Sequence, residues 1–177
     1  MRSVEMPRRN DPLAKETHWF IRSEAEKVYV CPAAMAHQIK EFSNSEKSKL
    51  SQDIQTGKSI LDRYLQNNSE KISANLLDKA FKAWAQKPDE FSHEQIANGL
   101  GSLFGELIKT EFQFSWKMIE DDLGVEAALI DEITGSIVFP INTIWKRIEP
   151  ELNTEPFFEP MFKTIRAHLD NQKAKKF

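Results

Sequence analysis

The sequence predicts an α+β protein: an N-terminal helical layer packed on a three-stranded antiparallel sheet, with further helices after the sheet. Two observations carry this prediction. Apolar residues recur with a helical period from Ser43 to Lys109, and the period changes to two after Lys109. The turn-forming segments "EDDLG" and "DEITGS" then separate short apolar runs, which is typical of an antiparallel meander.

The chain of 177 residues, 40% hydrophobic and 29% charged, fits one globular domain. Its predicted parts are a loosely ordered arm, a helical part, a meander and C-terminal helices, at 1–16, 43–110, 111–140 and 141–170. The arm is polar and contains two prolines, although "HWFI" offers it an apolar contact with the body. "KVYVCP" is typical of an extended segment, and "AAMAHQIKEF" of a short helix.

Capping signals mark the starts of two predicted helices. Ser43 and Glu46 have capping-box spacing and begin a helix from about 44 to 67. Ser92 and Gln95 repeat this spacing and begin another from about 93 to 109. Between them, an apolar stripe from Ile72 to Trp84 predicts a second helix that ends before a proline.

The third helix is expected to be the central and most buried one. Its Ala97, Gly101 and Gly105 lie four residues apart, so their small side chains form one strip where a neighbouring backbone can approach. A strip of bulky apolar residues lies beside it.

Three strands follow the helical part. Alternating apolar residues from Phe112 to Met118 predict the first, "VEAALI" the second and "IVF" the third. Pro140 suits the first turn of a helix whose apolar face runs to Ile148. A proline-rich link leads to a last helix, from Met161 to about Leu169.

Composition disfavours several classes of partner. A formal charge of -3 gives no general attraction to nucleic acid or to an anionic membrane. Cys31 is the single cysteine, so an intramolecular disulfide and a thiolate zinc site are excluded. The basic N-terminus lacks the apolar stretch of a signal peptide, which predicts a cytoplasmic protein. We expect no metal and no cofactor.

Three short segments resemble known motifs but lack a required feature. "QTGKS" lies inside a helical pattern, so we interpret Gly57 as a tolerated helix glycine rather than part of a phosphate loop. "GLGSLFG" is mid-helix, where close packing explains its glycines better than dinucleotide binding. "HEQIA" lacks the second histidine of a zinc protease.

An acidic segment is the most informative feature for function. Between Met118 and Trp145 the chain has six carboxylates and no lysine, arginine or histidine. The acids are Glu120, Asp121, Asp122, Glu126, Asp131 and Glu132. The first three are predicted on the first turn of the meander, the last two on the second, and Glu126 on the strand between them. Alternate turns lie at opposite ends of the sheet, so the acids form a diffuse stripe and not a close catalytic pair. Solvated turn residues are one interpretation; a surface for a basic protein partner is the other.

Aromatic residues offer an alternative site. The four tryptophans lie on apolar stripes, which favours core packing. In the alternative interpretation, Trp116, Trp145 and Lys146 converge in a pocket between the 93–109 helix and the sheet. The protein would then bind a small ligand or be an enzyme.

Residues 75–150 resemble a bacterial domain family catalogued as of unknown function. The segments that carry the resemblance are the "GLGSLFG" helix, Trp116 before an acidic turn, and "FPINTIWKRIE". The matching positions are Gly101, Gly105, Trp116, Asp122, Gly124, Phe139, Pro140, Lys146 and Arg147. Small α+β proteins of this kind resemble immunity proteins, which bind and occlude bacterial toxins. The resulting hypothesis is a non-catalytic immunity protein with a protein partner; its oligomeric state stays open.

Overall fold

The structure, a computed structural model, describes residues 38–66, 71–88, 90–121, 124–148 and 154–174, without the side chains of Asp121 and Lys173. The predictions for the arm at 1–16, for "HWFI" and for "KVYVCP" lie outside the described residues. The described part confirms an α+β protein with five helices and one antiparallel sheet.

Five helices form in the described residues near the predicted positions, although the last one is longer at both ends than the predicted Met161 to about Leu169. They are α1 (Asn44–Leu65), α2 (Ala74–Gln86), α3 (His93–Phe112), α4 (Pro140–Ile148) and α5 (Phe158–Ala174). Both predicted capping boxes are present, at Ser43 with Glu46 and at Ser92 with Gln95. Each satisfies backbone N–H groups that the first helical turn leaves without partners.

The sheet has four strands instead of the predicted three. Its order is β1 (Gln38–Lys40), β2 (Ser115–Asp121), β3 (Gly124–Asp131) and β4 (Ser136–Val138), all antiparallel. The additional strand β1 comes from the segment predicted as a short helix. It pairs with β2 in the register that places Ile39 opposite Ile119. The segment is a strand because its hydrogen bonds to β2 outweigh a weak local preference for helix.

The first predicted strand begins three residues later than its apolar alternation suggested. Phe112 belongs to α3, whose helix is closed by Gln113 in the left-handed conformation at φ 63°. The Phe112 ring packs against the Phe162 ring of α5, with centroids 4.9 Å apart. Tertiary packing on α5 therefore extends the helix over a residue whose spacing also suits a strand.

The main apolar core lies between the helices and one face of the sheet. Helix α3 is central, as predicted: it contacts α1, α2, α4, α5 and β3 and contributes ten buried residues. Gly101 gives close packing, since a Cβ there would lie 2.7 Å from the Ile141 Cα. A smaller cluster of Ile119, Ala128, Ile130 and Ile137 lies on the opposite sheet face. The buried apolar side chains of all five described helices belong to the main core.

Candidate functional site

A groove opens where α1, α3 and α4 meet the exposed end of the β2–β3 hairpin. We call it the α1–α4 groove; its cavity has a volume of about 300 Å³. Its walls are apolar and include Phe42, Leu50, Met118, Val125, Ile141 and Trp145. Its polar residues are Glu46, Lys49, Asp53, Asn98, Glu126 and Asn142. An apolar cavity with a few convergent polar groups is the usual form of a binding site.

Helix α1 supplies one side of the groove through a regular spacing. Glu46, Lys49, Leu50 and Asp53 follow one another at i, i+3, i+4 and i+7, which places all four on one helix face. Helix α4 supplies the facing side with Ile141, Asn142 and Trp145. The groove thus combines residues that are about a hundred positions apart in the chain.

The groove carries three carboxylates and one lysine. Asp53 is partly buried, and this burial raises the pKa of its carboxyl; Glu94 adds to the shift and Lys49 opposes it. Glu46 is held in its capping box, where hydrogen bonds with Ser43 lower the pKa of its carboxyl. The excess of carboxylates favours a ligand with positive charge.

Of the acidic-segment carboxylates that the structure describes, Glu126 is the one that lines the groove. Both of its carboxylate oxygens accept from the Asn142 side-chain amide, at 3.1 and 3.3 Å. The bond ties the hairpin end of β3 to α4 and holds the Glu126 side chain at the groove rim. Its neighbour Val125 is 54% exposed and so adds an accessible apolar side chain to the groove rim.

Three polar groups in the groove make no hydrogen bond with any other residue that the structure describes. They are the Asp53 carboxylate, the Asn98 amide and the Trp145 indole N–H. The three side chains are partly buried and their polar atoms keep contact with solvent, so a ligand in the groove can reach them. The three come from α1, α3 and α4, so they present acceptors and donors to one cavity from three directions.

The predicted acidic residues lie at opposite ends of the sheet, as the meander required. Glu120 and Glu126 lie near the hairpin between β2 and β3, and Asp131 and Glu132 lie at the turn between β3 and β4. The side chain of Asp121 and the whole of Asp122 lie outside the described residues. The structure therefore brings only part of the acidic segment near the groove.

Two lysines, one on β1 and one on β2, form ion pairs with carboxylates of the acidic segment. Lys40 of β1 forms an ion pair with Glu120. Lys117 of β2 contacts Glu41 and also Glu132, whose Oε1 lies 3.5 Å from Nζ. The hydrogen bond to Glu41 raises the pKa of the Lys117 ammonium. These carboxylates are therefore partly neutralised within the chain.

Asp131 has an architectural role. It is 7% exposed, and its carboxylate accepts from the Ile133 N–H at 3.0 Å and the Thr134 hydroxyl at 2.6 Å. These bonds close the turn between β3 and β4, as short polar side chains commonly do. Asp131 is thus unlike a hydrated surface carboxylate.

The three residues of the aromatic alternative do not converge. Trp116 is in the core, where its ring packs over Gly105 and its indole N–H donates to Glu106 at 2.8 Å. Lys146 is exposed and does not line the groove. Trp145 alone of the three lines the groove, on the opposite side from α1.

The sequence prediction missed Asp53 and Asn98. Asp53 carried a usable signal, because it lies on the same helix face as Leu50 and Gly57 and so places a charge on an apolar stripe. Asn98 carried none, since a polar residue between a buried alanine and a buried glycine on a helix has no local signature. Within the described ranges, no group of three or more His, Cys, Asp or Glu side chains could hold a metal ion.

Comparison with known proteins supports the resemblance to a domain family of unknown function. Residues 74–158 match the family model described as "Domain of unknown function (DUF3806)". The DUF3806 match runs from α2 to the start of α5 and contains the Asn98, Glu126 and Trp145 parts of the groove. It does not include α1, which supplies Asp53. No curated protein matches the sequence.

A solved structure is similar in fold. It is a crystal structure from Bacteroides thetaiotaomicron VPI-5482 at 1.50 Å, with a TM-score of 0.59 and 14% sequence identity. The similarity covers 83% of this chain and 51% of that one, so this chain spans about half the length of that protein. At this identity the similarity concerns the fold alone. Of the helices that the structure describes, none is long and apolar enough to cross a membrane.

Proposed function

We propose that this protein is a non-catalytic protein-binding module that receives a basic segment of another protein at the α1–α4 groove and the adjoining β2–β3 hairpin. The observation that carries this proposal is the charge of the groove: among the described lining residues, Glu46, Asp53 and Glu126 are acidic and Lys49 is the one base. Complementary charge accelerates association and selects among partners. The exposed Val125 at the rim offers an apolar contact next to these charges.

The residue types in the groove favour binding over catalysis. Its described lining contains no serine, threonine, cysteine, histidine or tyrosine, so most side chains used as nucleophiles or as general acids and bases are absent from it. The carboxylates that remain have different roles: Glu46 caps α1 and Glu126 is bound to Asn142. Asp53 is left to meet a ligand.

The most concrete form of the proposal is an immunity protein that occludes a cognate toxin in the cytoplasm. Its support is the small α+β fold and an acidic hairpin beside a groove. The step from fold to this role is an analogy with other small α+β proteins. The toxin would present lysine or arginine side chains to the groove, because its contact surface must complement these carboxylates.

A second candidate function is the binding of a small ligand in the same groove. Two observations favour it: the cavity of about 300 Å³, and the unpaired groups of Asp53, Asn98 and Trp145. This volume lies at the lower end of the range for ligand pockets. A small ligand would perturb the groove and leave the tip of the hairpin unchanged, whereas a protein segment would contact both.

Charge reversal tests the protein-binding proposal. The probes are fluorescent peptides of about 15 residues, one rich in lysine and arginine, one neutral and one acidic, and the measurement is fluorescence anisotropy. We expect the basic peptide to bind best and to bind about tenfold more weakly to Glu126→Lys, because the reversal adds repulsion and frees Asn142. Raising the salt concentration from about 50 to about 300 mM should weaken binding further.

Asp62→Lys is the matched control. Asp62 is an exposed residue near the C-terminal end of α1 and does not line the groove, and its reversal changes the net charge by the same amount as Glu126→Lys. The control variant should bind within about twofold of the unmodified protein. Equal weakening in the two variants would mean that the peptide responds to net charge, and the proposed surface would be excluded.

A further inference from the structure

We infer that the α1–α4 groove is an anchor pocket for a single arginine side chain, an inference that rests on the proposed function and specifies the partner group. Interfaces commonly concentrate their binding energy on a few residues that fill pockets, and arginine is prominent among them. The groove has the size of a site for one long side chain, at about 300 Å³. Four kinds of observation support the choice of arginine.

The walls of the groove suit the aliphatic part of an arginine. Met118, Ile141 and Trp145 line it from β2 and α4, and Leu50 lines it from α1. Arginine buries its methylene groups along apolar surface while its charged end seeks polar partners. A short cation such as an ammonium ion would leave these walls without a contact.

The acceptors in the groove suit a guanidinium. The Asp53 carboxylate and the Asn98 carbonyl oxygen accept no hydrogen bond from any residue that the structure describes, and Glu126 stands at the rim. These acceptors come from α1, α3 and β3 and therefore face the cavity from different sides. A guanidinium offers five N–H donors in one plane, so it can serve separate acceptors at once. A lysine ammonium is compact and offers three.

Trp145 adds an aromatic surface to the same site. Its indole is partly buried in the groove wall, and its N–H has no acceptor among the described residues. Guanidinium groups stack on indole faces, and tryptophan is the best partner for such contacts. The free N–H can meanwhile donate to a backbone carbonyl of the bound segment.

The Asp53 carboxylate would gain from a bound cation. Its position on the apolar side of α1 partly removes it from water. Lys49, on the preceding turn, is exposed and opposes the shift through its charge without a direct ion pair to Asp53. Burial raises the pKa of the Asp53 carboxyl, so ionisation opposes folding in the free protein. A bound guanidinium would favour the ionised form.

The test compares peptides that differ at one position. Otherwise identical neutral peptides carry arginine, lysine or citrulline, which has nearly the shape of arginine without its charge. Each is titrated into the isotopically labelled full chain while NMR signals of the Trp145 indole N–H and the Asn98 side-chain amide are followed. We expect the arginine peptide to shift both signals and the citrulline peptide to bind at least about tenfold more weakly. The lysine peptide should be intermediate.

Asp53→Asn and Asp62→Asn form the matched pair of variants. Asp53→Asn keeps the shape of the side chain and should weaken the arginine peptide about tenfold, while Asp62→Asn should leave it within about twofold. The inference is overturned if citrulline binds as well as arginine, or if Asp53→Asn has no effect. It is also overturned if the shifts lie only at Gly124 and Val125; basic peptides that remain sensitive to Glu126→Lys would then leave the proposed function standing without its anchor.

Discussion

Two carboxylates on the same face of α1 illustrate how position decides the behaviour of a side chain. Glu46 and Asp53 are seven residues apart and both line the groove. Hydrogen bonds from Ser43 lower the pKa of Glu46, whereas burial raises the pKa of Asp53. Glu46 therefore stabilises the start of a helix. Asp53 destabilises the fold when ionised, and such a cost is common where a residue serves binding.

The stability contribution of Asp53 should depend on pH in a defined direction. Its pKa in the folded protein is raised above the ordinary value of 3.8, so its favourable contribution is complete below that value and is lost as the pH rises through the folded pKa. The asparagine side chain of the Asp53→Asn variant is neutral at every pH. At pH 7 the free energy of unfolding of the variant should therefore be about 0.5 kcal/mol higher than that of the unmodified protein, after allowance for solvent screening.

Urea unfolding at pH 7 and at about pH 3 measures this difference. The advantage of Asp53→Asn should disappear at the lower pH, because both side chains are then uncharged. Asp62→Asn is again the control, since Asp62 is exposed on the same helix. A variant that is less stable than the unmodified protein at pH 7 would contradict the assignment of burial as the cause.

Helices α1 and α3 approach each other through a pair of glycines. A Cβ on Gly99 would lie 2.9 Å from the Gly57 nitrogen, and a Cβ on Gly57 would collide with the Gly99 carbonyl oxygen and with Leu103. The interpretation of Gly57 as a merely tolerated helix glycine is therefore wrong. The contact brings the two backbones together and so fixes the position of Asp53, one turn earlier on α1, above Asn98.

Gly57→Ala should destabilise the protein although alanine is the better helix former. Helix propensity alone would favour alanine by about 1 kcal/mol. The collision with Gly99 and Leu103 forces α1 and α3 apart, and we expect a net loss of about 1–3 kcal/mol in the free energy of unfolding.

Chemical denaturation checks this loss, with Ser59→Ala as control. Ser59 is exposed on the same helix, and its hydroxyl bonds only to the Gln55 carbonyl within that helix. The control should change the stability by less than about 0.5 kcal/mol. If Gly57→Ala were as stable as the control, the helices would not depend on this close contact.

The buried side chains of the described helices pack in one core against one face of the sheet. Within this core, a buried carboxylate on α2 holds the start of α5. Asp78 on α2 is 8% exposed, and its carboxylate accepts from the backbone N–H groups of Phe157, Phe158 and Glu159 at 2.7, 2.9 and 3.0 Å. The residue before α5 is a phenylalanine, which cannot cap a helix. Asp78 supplies this cap from α2, which is distant in sequence. Its negative charge also interacts favourably with the positive N-terminal end of the α5 dipole.

Asp78→Ala should release α5 from the rest of the molecule. Three buried N–H groups would lose a charged acceptor, and we expect a loss of about 2–4 kcal/mol in the free energy of unfolding. Hydrogen exchange should accelerate most in α5 and least in β2 and β3, because α5 does not pair with the sheet. Asp170→Ala, an exposed position on α5, is the control. Uniform acceleration in all elements would argue against a local capping role.

Much of the fold could be predicted because its signals are local. The capping boxes at Ser43 and Ser92 satisfy donors within three residues, and apolar periodicity marks the core face of each helix. The opposite placement of the acids on the meander also follows from strand alternation alone. These features depend on neighbours in the chain, so the linear order of residues contains the necessary information.

The groove and the strand β1 could not be predicted in this way. Strand β1 exists because Gln38–Lys40 finds hydrogen-bonding partners about eighty residues away in β2. The acidic segment was predicted to lie mainly in turns, but Glu120, Asp121 and Asp131 belong to the strand ends, and of the described acids only Glu132 is a turn residue. Lys40 and Lys117 neutralise part of the segment, and Asp131 is buried beside the turn that it closes. Trp116 and Trp145 look alike in sequence, but packing over Gly105 places one in the core, while the other lines the groove.

The linear chain thus defined the helices, the hairpin and the acidic character of the protein, because capping, periodicity and charge are properties of short segments. Packing alone chose which of those charges meet in a cavity. The meeting of Asp53, Asn98 and Trp145 depends on the close approach of α1 to α3 at Gly57 and of α4 to α3 at Gly101. Such approaches are set by the fit of distant surfaces, and no short stretch of sequence specifies them.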